Sequence, residues 1–335
     1  MKGLFVEENR GQLSNLQTGV QSWCRTEARY TTMNLIVILG PTASGKTKLA
    51  AILAKDLGGE IISADSRQVY RGLDIGTGKD LNDYRVNGEM VPHHLIDIVA
   101  PADEFSVFDY QERFACCFAD ITARNHLPIM VGGTGLYIDA VLKGFRMVKV
   151  PENAGLRAEL QGEELGALIE MLRKLNPVLH NTTDFQDRQR LIRAIEIAEY
   201  SRQHGGAGEG RLPPLNPLII GLRWERSVLR RRITCRLEER LASGMVDEVR
   251  RLHDECICNW ERMHFLGLEY RYVALYLQDK LSYQDMFQQL NTRIHQFAKR
   301  QETWFRRMEK QGATINWLED PDYEKLQILV KRLWA

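Results

Sequence analysis

Leu35-Ile36-Val37-Ile38-Leu39-Gly40-Pro41-Thr42-Ala43-Ser44-Gly45-Lys46-Thr47 is the stretch that decides the fold. Its apolar, mostly branched opening predicts a strand buried on both faces of a parallel sheet. Gly40 to Thr47 fits G-x-x-x-x-G-K-[ST], the phosphate-binding loop, and Lys48-Leu49-Ala50-Ala51-Ile52-Leu53-Ala54 then predicts a helix. Gly40 and Gly45 let successive backbone N–H groups turn toward one anion. The helix start adds unpaired N–H groups and the positive end of its dipole. Lys46 is expected to reach the terminal phosphate, and the Thr47 hydroxyl to ligate magnesium. The loop specifies a polyphosphate without saying which.

The chain around it has 335 residues, enough for two domains or for one with a large insertion. It is 44% hydrophobic and 27% charged, the balance of a globular protein with an ample core. A net charge of +1 means that any nucleic-acid site is a local patch and not a global field. The six cysteines form no C-x-x-C pair and show no zinc-finger spacing, so they are expected to be scattered thiols in a reducing compartment. No apolar run approaches the ~18 residues of a membrane span, and a cytoplasmic protein is expected.

Outward from the loop, strand and helix alternate, the signature of an α/β parallel sheet. Residues 1–32 lack periodicity and are expected to be a poorly ordered extension, with Met33 as a candidate start. A core over 33–143 carries strands at Glu60-Ile61-Ile62-Ser63-Ala64, His94-Leu95-Ile96-Asp97-Ile98 and Leu127-Pro128-Ile129-Met130-Val131, with a helix from Phe105 to Arg124. Residues 144–210 read as a helical insertion ending in a flexible loop at Gly205 to Gly210. Residues 211–320 return to the core through a strand at Leu218 to Leu222, then continue as basic helices. The last of these runs from Ser282 to Lys310. Residues 321–335 read as a tail helix.

Ligands of open parallel sheets sit beyond the carboxyl ends of the strands. Three such ends carry polar or glycine-rich groups: the loop itself, Asp65, and Gly132-Gly133-Thr134. Asp65 can accept a proton or a hydrogen bond from an attacking nucleophile, or it can hold a magnesium-bound water or cap a turn. The third strand ends in glycines and Thr134, where many ATPases place an Asp for the metal. That favours kinase-like transfer, or a reaction in which diphosphate leaves. Leu229, Ile233, Leu237 and Leu241 form an apolar helical stripe, and Arg232, Arg236 and Arg240 form a second stripe on a different face. Arg232 can clamp developing diphosphate charge or lie on a solvated face. His93 and His94, at a strand start, read as structural. The basic C-terminal helices, with Phe297, Trp304 and Phe305 among Arg293, Lys299, Arg300, Arg306 and Arg307, suit RNA or a charged surface over core aromatics.

Further segments complete a pattern: Ile62 to Tyr70, Gly76-Thr77-Gly78-Lys79, His93 to Asp97, Val131 to Tyr137, Asp187 to Glu196, and Thr292-Arg293 with Ala298-Lys299-Arg300-Gln301 and Thr303 to Arg306. In this order the chain, from about Met33 to Leu318, resembles the tRNA dimethylallyltransferase (tRNA isopentenyltransferase) family of bacterial type. The resemblance implies a P-loop NTPase-like α/β sheet flanked by helices. Its implied reaction moves a dimethylallyl group from dimethylallyl diphosphate to the N6 amine of the adenosine 3′ to the anticodon. It implies Asp65 as general base, Thr134 as its assistant, Arg232 as a diphosphate ligand, and magnesium held through Thr47. Asp65, Ser66, Arg67, Gln68, Arg157, Gln189, Arg190, Leu191, Ile192 and Arg193 are implied on the RNA side. The expected partners are the tRNA anticodon stem-loop and dimethylallyl diphosphate, with no membrane and a monomeric enzyme. The family commonly has Ala and Pro where Gly78 and Asp80 stand, and Met263 to Tyr270 matches it only loosely. A P-loop kinase, an adenylate isopentenyltransferase and a non-enzymatic RNA-binding protein are the rival readings.

Overall fold

The computed structural model describes residues 33–175, 187–204 and 212–334. Expectations for residues 1–32 and for the Gly205 to Gly210 loop lie outside these.

Leu35–Leu39 forms β1, and Gly45 at φ +83° turns the chain into α1, Lys46–Leu57. α1 ends at Gly58, also left-handed, and β2 follows at Gly59–Ala64. A short hairpin, β3 (Arg85–Val86) and β4 (Glu89–Met90), precedes β5, His93–His94. The strand expected through Ile98 stops there. Leu95 and Asp97 take φ of +64° and +55°, which no strand accommodates. Ser106 and Asp109 cap each other's N–H groups at the start of α2, Val107–Ala123. β6 (Leu127–Gly132) and α3 (Gly135–Leu142) complete the first half.

Residues 144–153 are irregular and not helical as expected. The insertion's helices are α4 (Ala154–Gln161), α5 (Leu165–Leu175) and α6 (Arg188–His204), packed through Leu160, Leu168, Leu172, Leu191, Ile192 and Ile195. β7 (Pro217–Arg223) returns to the sheet. α7 (Arg226–Ala242), α8 (Met245–Asp254), α9 (Trp260–Leu266), α10 (Leu268–Leu277) and α11 (Tyr283–Lys310) follow. β8 (Ile315–Glu319) was not anticipated from the sequence, and α12 (Tyr323–Trp334) follows it.

The sheet order is β5-β2-β6-β1-β7-β8, with every pairing parallel. β1 lies between β6 and β7, so the phosphate-binding loop leaves the middle of the sheet. Alternation along β1 divides the core. Leu35, Val37 and Leu39 meet Phe114 of α2, Ile138 of α3 and Phe305 of α11. Ile36 and Ile38 meet Leu53 of α1 and Leu326 and Val330 of α12. Leu229, Ile233 and Leu237 anchor α7 in a third cluster with α8, α9, α10 and α11, as their spacing predicts. α11 buries Met286, Leu290, Ile294, Ala298, Gln301, Phe305 and Met308. This stripe seats the helix across the helical body and the sheet at once.

Candidate active site

The carboxyl ends of β1, β2 and β6 open into one cleft of about 1340 Å³. That exceeds the roughly 300–1,000 Å³ of ordinary small-molecule pockets. Residues Thr42 to Lys48, Asp65 to Gln68, Gly132 and Thr134 line it, with Arg232, Arg236 and Arg240 of α7, Arg190 of α6, and Phe297, Arg300 and Gln301 of α11.

Side chains from distant elements hold the phosphate loop in place. Arg232 Nε donates to the Ala43 carbonyl at 2.8 Å, and its guanidinium lies 4.5 Å over the Trp224 ring. Trp224 Nε1 donates to the Ser44 carbonyl at 2.9 Å. The Thr42 N–H donates to Gln301 Oε1 at 2.8 Å, and Gln301 Nε2 donates to the Gly133 carbonyl at 2.9 Å. Gln301 therefore ties the loop after β1 to the loop after β6. Lys46 Nζ turns back to the Pro41 carbonyl at 3.2 Å. Burial lowers the Lys46 pKa to about 8; nearby Asp65 opposes the shift, and Arg236 and Arg240 reinforce it. An anion entering the loop therefore meets a desolvated ammonium that no carboxylate among the described residues holds in a salt bridge.

The acceptor side is built on the turn after β2. Asp65 Oδ1 accepts the N–H groups of Arg67 at 2.8 Å and Gln68 at 3.4 Å, so this oxygen caps the turn. Thr134 Oγ1 accepts the Ser66 N–H at 3.1 Å, and the Thr134 N–H donates to the Ala64 carbonyl at 3.2 Å. Asp65 and Thr134 are thus locked side by side. Behind them, Glu248 accepts the N–H groups of Asp74, Ile75 and Gly76 at 3.0, 2.7 and 3.0 Å, and the Tyr270 hydroxyl at 2.7 Å. Lys79 is buried and donates to the Tyr70 carbonyl, Asp74 and Asp97. This loop is therefore a fixed wall. Thr47 lines the cleft beside Lys46. Its hydroxyl is a hard oxygen donor of the kind that holds magnesium together with substrate phosphates.

Residues 68–308 match the family model described as IPP transferase, and residues 33–88 match that described as isopentenyl transferase. The chain belongs to the IPP transferase family. It is 57% identical to tRNA dimethylallyltransferase 1 of Syntrophus aciditrophicus over 298 residues, covering 89% of this chain and 97% of that relative. Among solved structures, it is 35% identical to the tRNA isopentenylpyrophosphate transferase of Bacillus halodurans, with a TM-score of 0.64 over 89% of this chain and 94% of that one. The corresponding Staphylococcus epidermidis enzyme is 30% identical, with a TM-score of 0.61 over 89% of this chain and 97% of that one.

Within this IPP transferase fold, the residues expected on the RNA side divide. Gln189 and Arg190 are exposed, and Arg190 reaches the cleft. Leu191 and Ile192 are buried in the insertion's own core, because helical spacing turns them away from Arg190. Arg157 and Arg193 both pair with Glu196, and Arg193 also donates to the Val150 carbonyl at 2.8 Å. They brace the insertion. His94 Nε2 lies 2.7 Å from Glu60 Oε2, and His93 Nδ1 lies 2.9 Å from the Val91 carbonyl, both structural as expected. Of the α11 aromatics, Phe305 is core and Trp304 Nε1 holds Asp139 at 2.8 Å. Only Phe297 of the three lines the cleft. Trp224, Gln301, Arg236, Arg240 and Glu269 join the site without standing in any of the motifs' candidate site positions. The four-residue spacing from Arg232 was the available signal for the two arginines.

Proposed function

We propose that this IPP transferase moves a dimethylallyl group from dimethylallyl diphosphate to the N6 amine of the adenosine 3′ to the anticodon in tRNA, releasing diphosphate. One observation carries the reading. A single cleft is lined by a phosphate loop with Lys46 and Arg232, and also by Asp65, Thr134, Arg190, Phe297 and Arg300. A small-molecule kinase has no use for the second set. A free-nucleotide acceptor would leave Arg190 and Arg300 without phosphates to meet.

In this reading the N6 lone pair attacks the allylic carbon, the carbon–oxygen bond breaks, and its electrons leave on diphosphate. The N6 proton passes to Asp65, whose Oδ1 is held by two backbone N–H groups. Loop N–H groups, Lys46 and Arg232 stabilise the departing charge, already aimed by Ala43 and Trp224. Thr47 and the diphosphate oxygens would hold magnesium, which supplies further charge neutralisation when bound. Turning the adenosine out of its stack costs roughly a few kcal/mol, least in an unpaired loop. A monomeric enzyme is part of this reading. The reading places it with its substrate in the cytoplasm. Among the described residues, no helix is long and apolar enough to cross a membrane.

The test is transfer from labelled dimethylallyl diphosphate, with magnesium, to unmodified tRNA or to AMP. Label on tRNA at the expected adenosine supports the proposal. Transfer to AMP alone, or ATP consumption without transfer, refutes it.

A further inference from the structure

Three arginines stand at four-residue spacing along α7, and each meets a different fate. Arg232 is bound to the phosphate loop. Arg236 donates to Asp80 Oδ2 at 2.5 Å and to the Gly78 carbonyl at 3.4 Å. Arg240 has no such engagement. Its side chain is 12% exposed, its Nη1 lies 3.6 Å from Glu269, and its buried Nε has no hydrogen-bond partner among the described residues. A buried guanidinium left this under-satisfied is costly unless a ligand completes it.

The loop opposite is shaped around this group. Gly78 has φ +63°, and a Cβ there would stand 1.4 Å from Arg240 Nη2 and 2.7 Å from Arg236 Nη2. Only glycine lets the Arg240 head lie where it does. Gly78 and Asp80 both touch the arginine stripe, which makes the stripe and this loop one built feature.

We infer that Arg240 is a binding site for the RNA backbone phosphate beside the reacting adenosine, and that Gly78 makes room for it. The inference rests on the proposed tRNA prenyl transfer. Position selects the ligand. Arg240 is eight residues beyond Arg232, about 12 Å along the helix axis, so the two side chains leave α7 at different points of the cleft. The contacts of the loop that faces Arg240 lead to the acceptor side. The Gly78 carbonyl accepts from Gln68 Nε2 at 3.1 Å, and the Gln68 N–H donates to Asp65 Oδ1. Glu269 holds Arg240 only at salt-bridge distance, so a phosphate oxygen can replace it without breaking a close bidentate pair.

The experiment is steady-state prenyl transfer to an anticodon stem-loop RNA, with RNA and dimethylallyl diphosphate varied separately and salt as a third variable. Wild-type transfer is the control; its absence refutes the proposed function before this inference is reached. Arg240→Met raises KM for RNA about tenfold, leaves KM for the diphosphate within about twofold, and flattens the salt slope by about one unit. Gly78→Ala displaces the guanidinium and gives the same pattern. Adding Arg240→Met to Gly78→Ala changes nothing further. Unchanged RNA KM with lowered melting temperature makes Arg240 a structural pair and overturns the inference. A raised diphosphate KM overturns it in favour of a donor ligand.

Discussion

Trp224 donates its indole N–H to the Ser44 carbonyl while its ring face supports Arg232, so one side chain sets both the phosphate loop and the guanidinium that faces it. Removing the ring loses a hydrogen bond and a cation–π contact, each worth about 0.5–1.5 kcal/mol. Trp224→Ala is expected to raise KM for dimethylallyl diphosphate about tenfold, with RNA KM unchanged. Trp224→Phe keeps the face and loses only the N–H, so its defect is smaller. Equal defects in the two variants would show that the ring face contributes nothing.

Gln301 reaches from the basic helix α11 to the Thr42 N–H and the Gly133 carbonyl. Gln301→Leu leaves both backbone groups unpaired, at a cost of about 1–3 kcal/mol each where they are buried. Denaturant unfolding should record the stability loss, and donor KM should rise as the loop relaxes. Gln301→Glu keeps the acceptor for Thr42 but faces the Gly133 carbonyl with a charge, so it should be no better than leucine.

The Lys46 pKa near 8 gives donor binding a pH limit. Below about pH 8 the ammonium is charged and attracts diphosphate. As pH rises through 8 in the free protein it becomes neutral, and donor KM climbs. Burial has the opposite effect on stability. The folded pKa lies below the ordinary 10.5, so the unfolded chain holds this proton more tightly between pH 8 and 10.5, and the Lys46 contribution to stability rises across that window. Lys46→Met should therefore melt higher than wild type below pH 8 while losing donor affinity and its pH dependence. A lower melting temperature would contradict the burial penalty.

Glu60 sits 1% exposed at the opposite end of the sheet, among Arg124, His94 and His126. Their hydrogen bonds outweigh its burial and hold its pKa at about 2, below the ordinary 4.5. Its stabilising contribution is complete above pH 4.5 and is lost as pH falls toward 2. Glu60→Gln should lower the melting temperature at pH 7, and the gap from wild type should close across that acid window. A gap independent of pH would mean that shape, not charge, is what the position supplies.

The elements legible in the sequence are those with a local signal. β1 announces itself by its apolar run, α2 by helical spacing from Phe105 to Arg124, and α11 by a long basic stretch from Ser282 to Lys310. β8 was missed because Ile315-Asn316-Trp317-Leu318-Glu319 is neither alternating nor uniformly apolar. Its strand character comes from pairing with β7, Ile219 against Ile315. The site divides the same way. Gly40 to Thr47, Asp65 and Thr134 were visible because strand ends converge by rule in parallel sheets. Trp224 and Gln301 were not, since their partners are 180 and 259 residues away in sequence. Leu191 and Ile192 were grouped with their arginine neighbours by motif, and helical geometry separates them.

The sheet order carries a consequence for how the protein is made. β1 needs β7 on one flank, and Asn34 pairs with Asn216 across 182 residues of chain. A ribosome that has emitted β1, β2 and β6 has extruded the phosphate loop but neither Arg232 nor Gln301 to close on it. Such distant strand pairing is slow, and large proteins fold through intermediates that expose apolar edges meanwhile. The half-finished sheet presents the bare edge of β1, its most hydrophobic strand, until β7 arrives. Synthesis stalled within the insertion would therefore yield a chain prone to aggregate, and the donor site would first exist only once α11 had been translated.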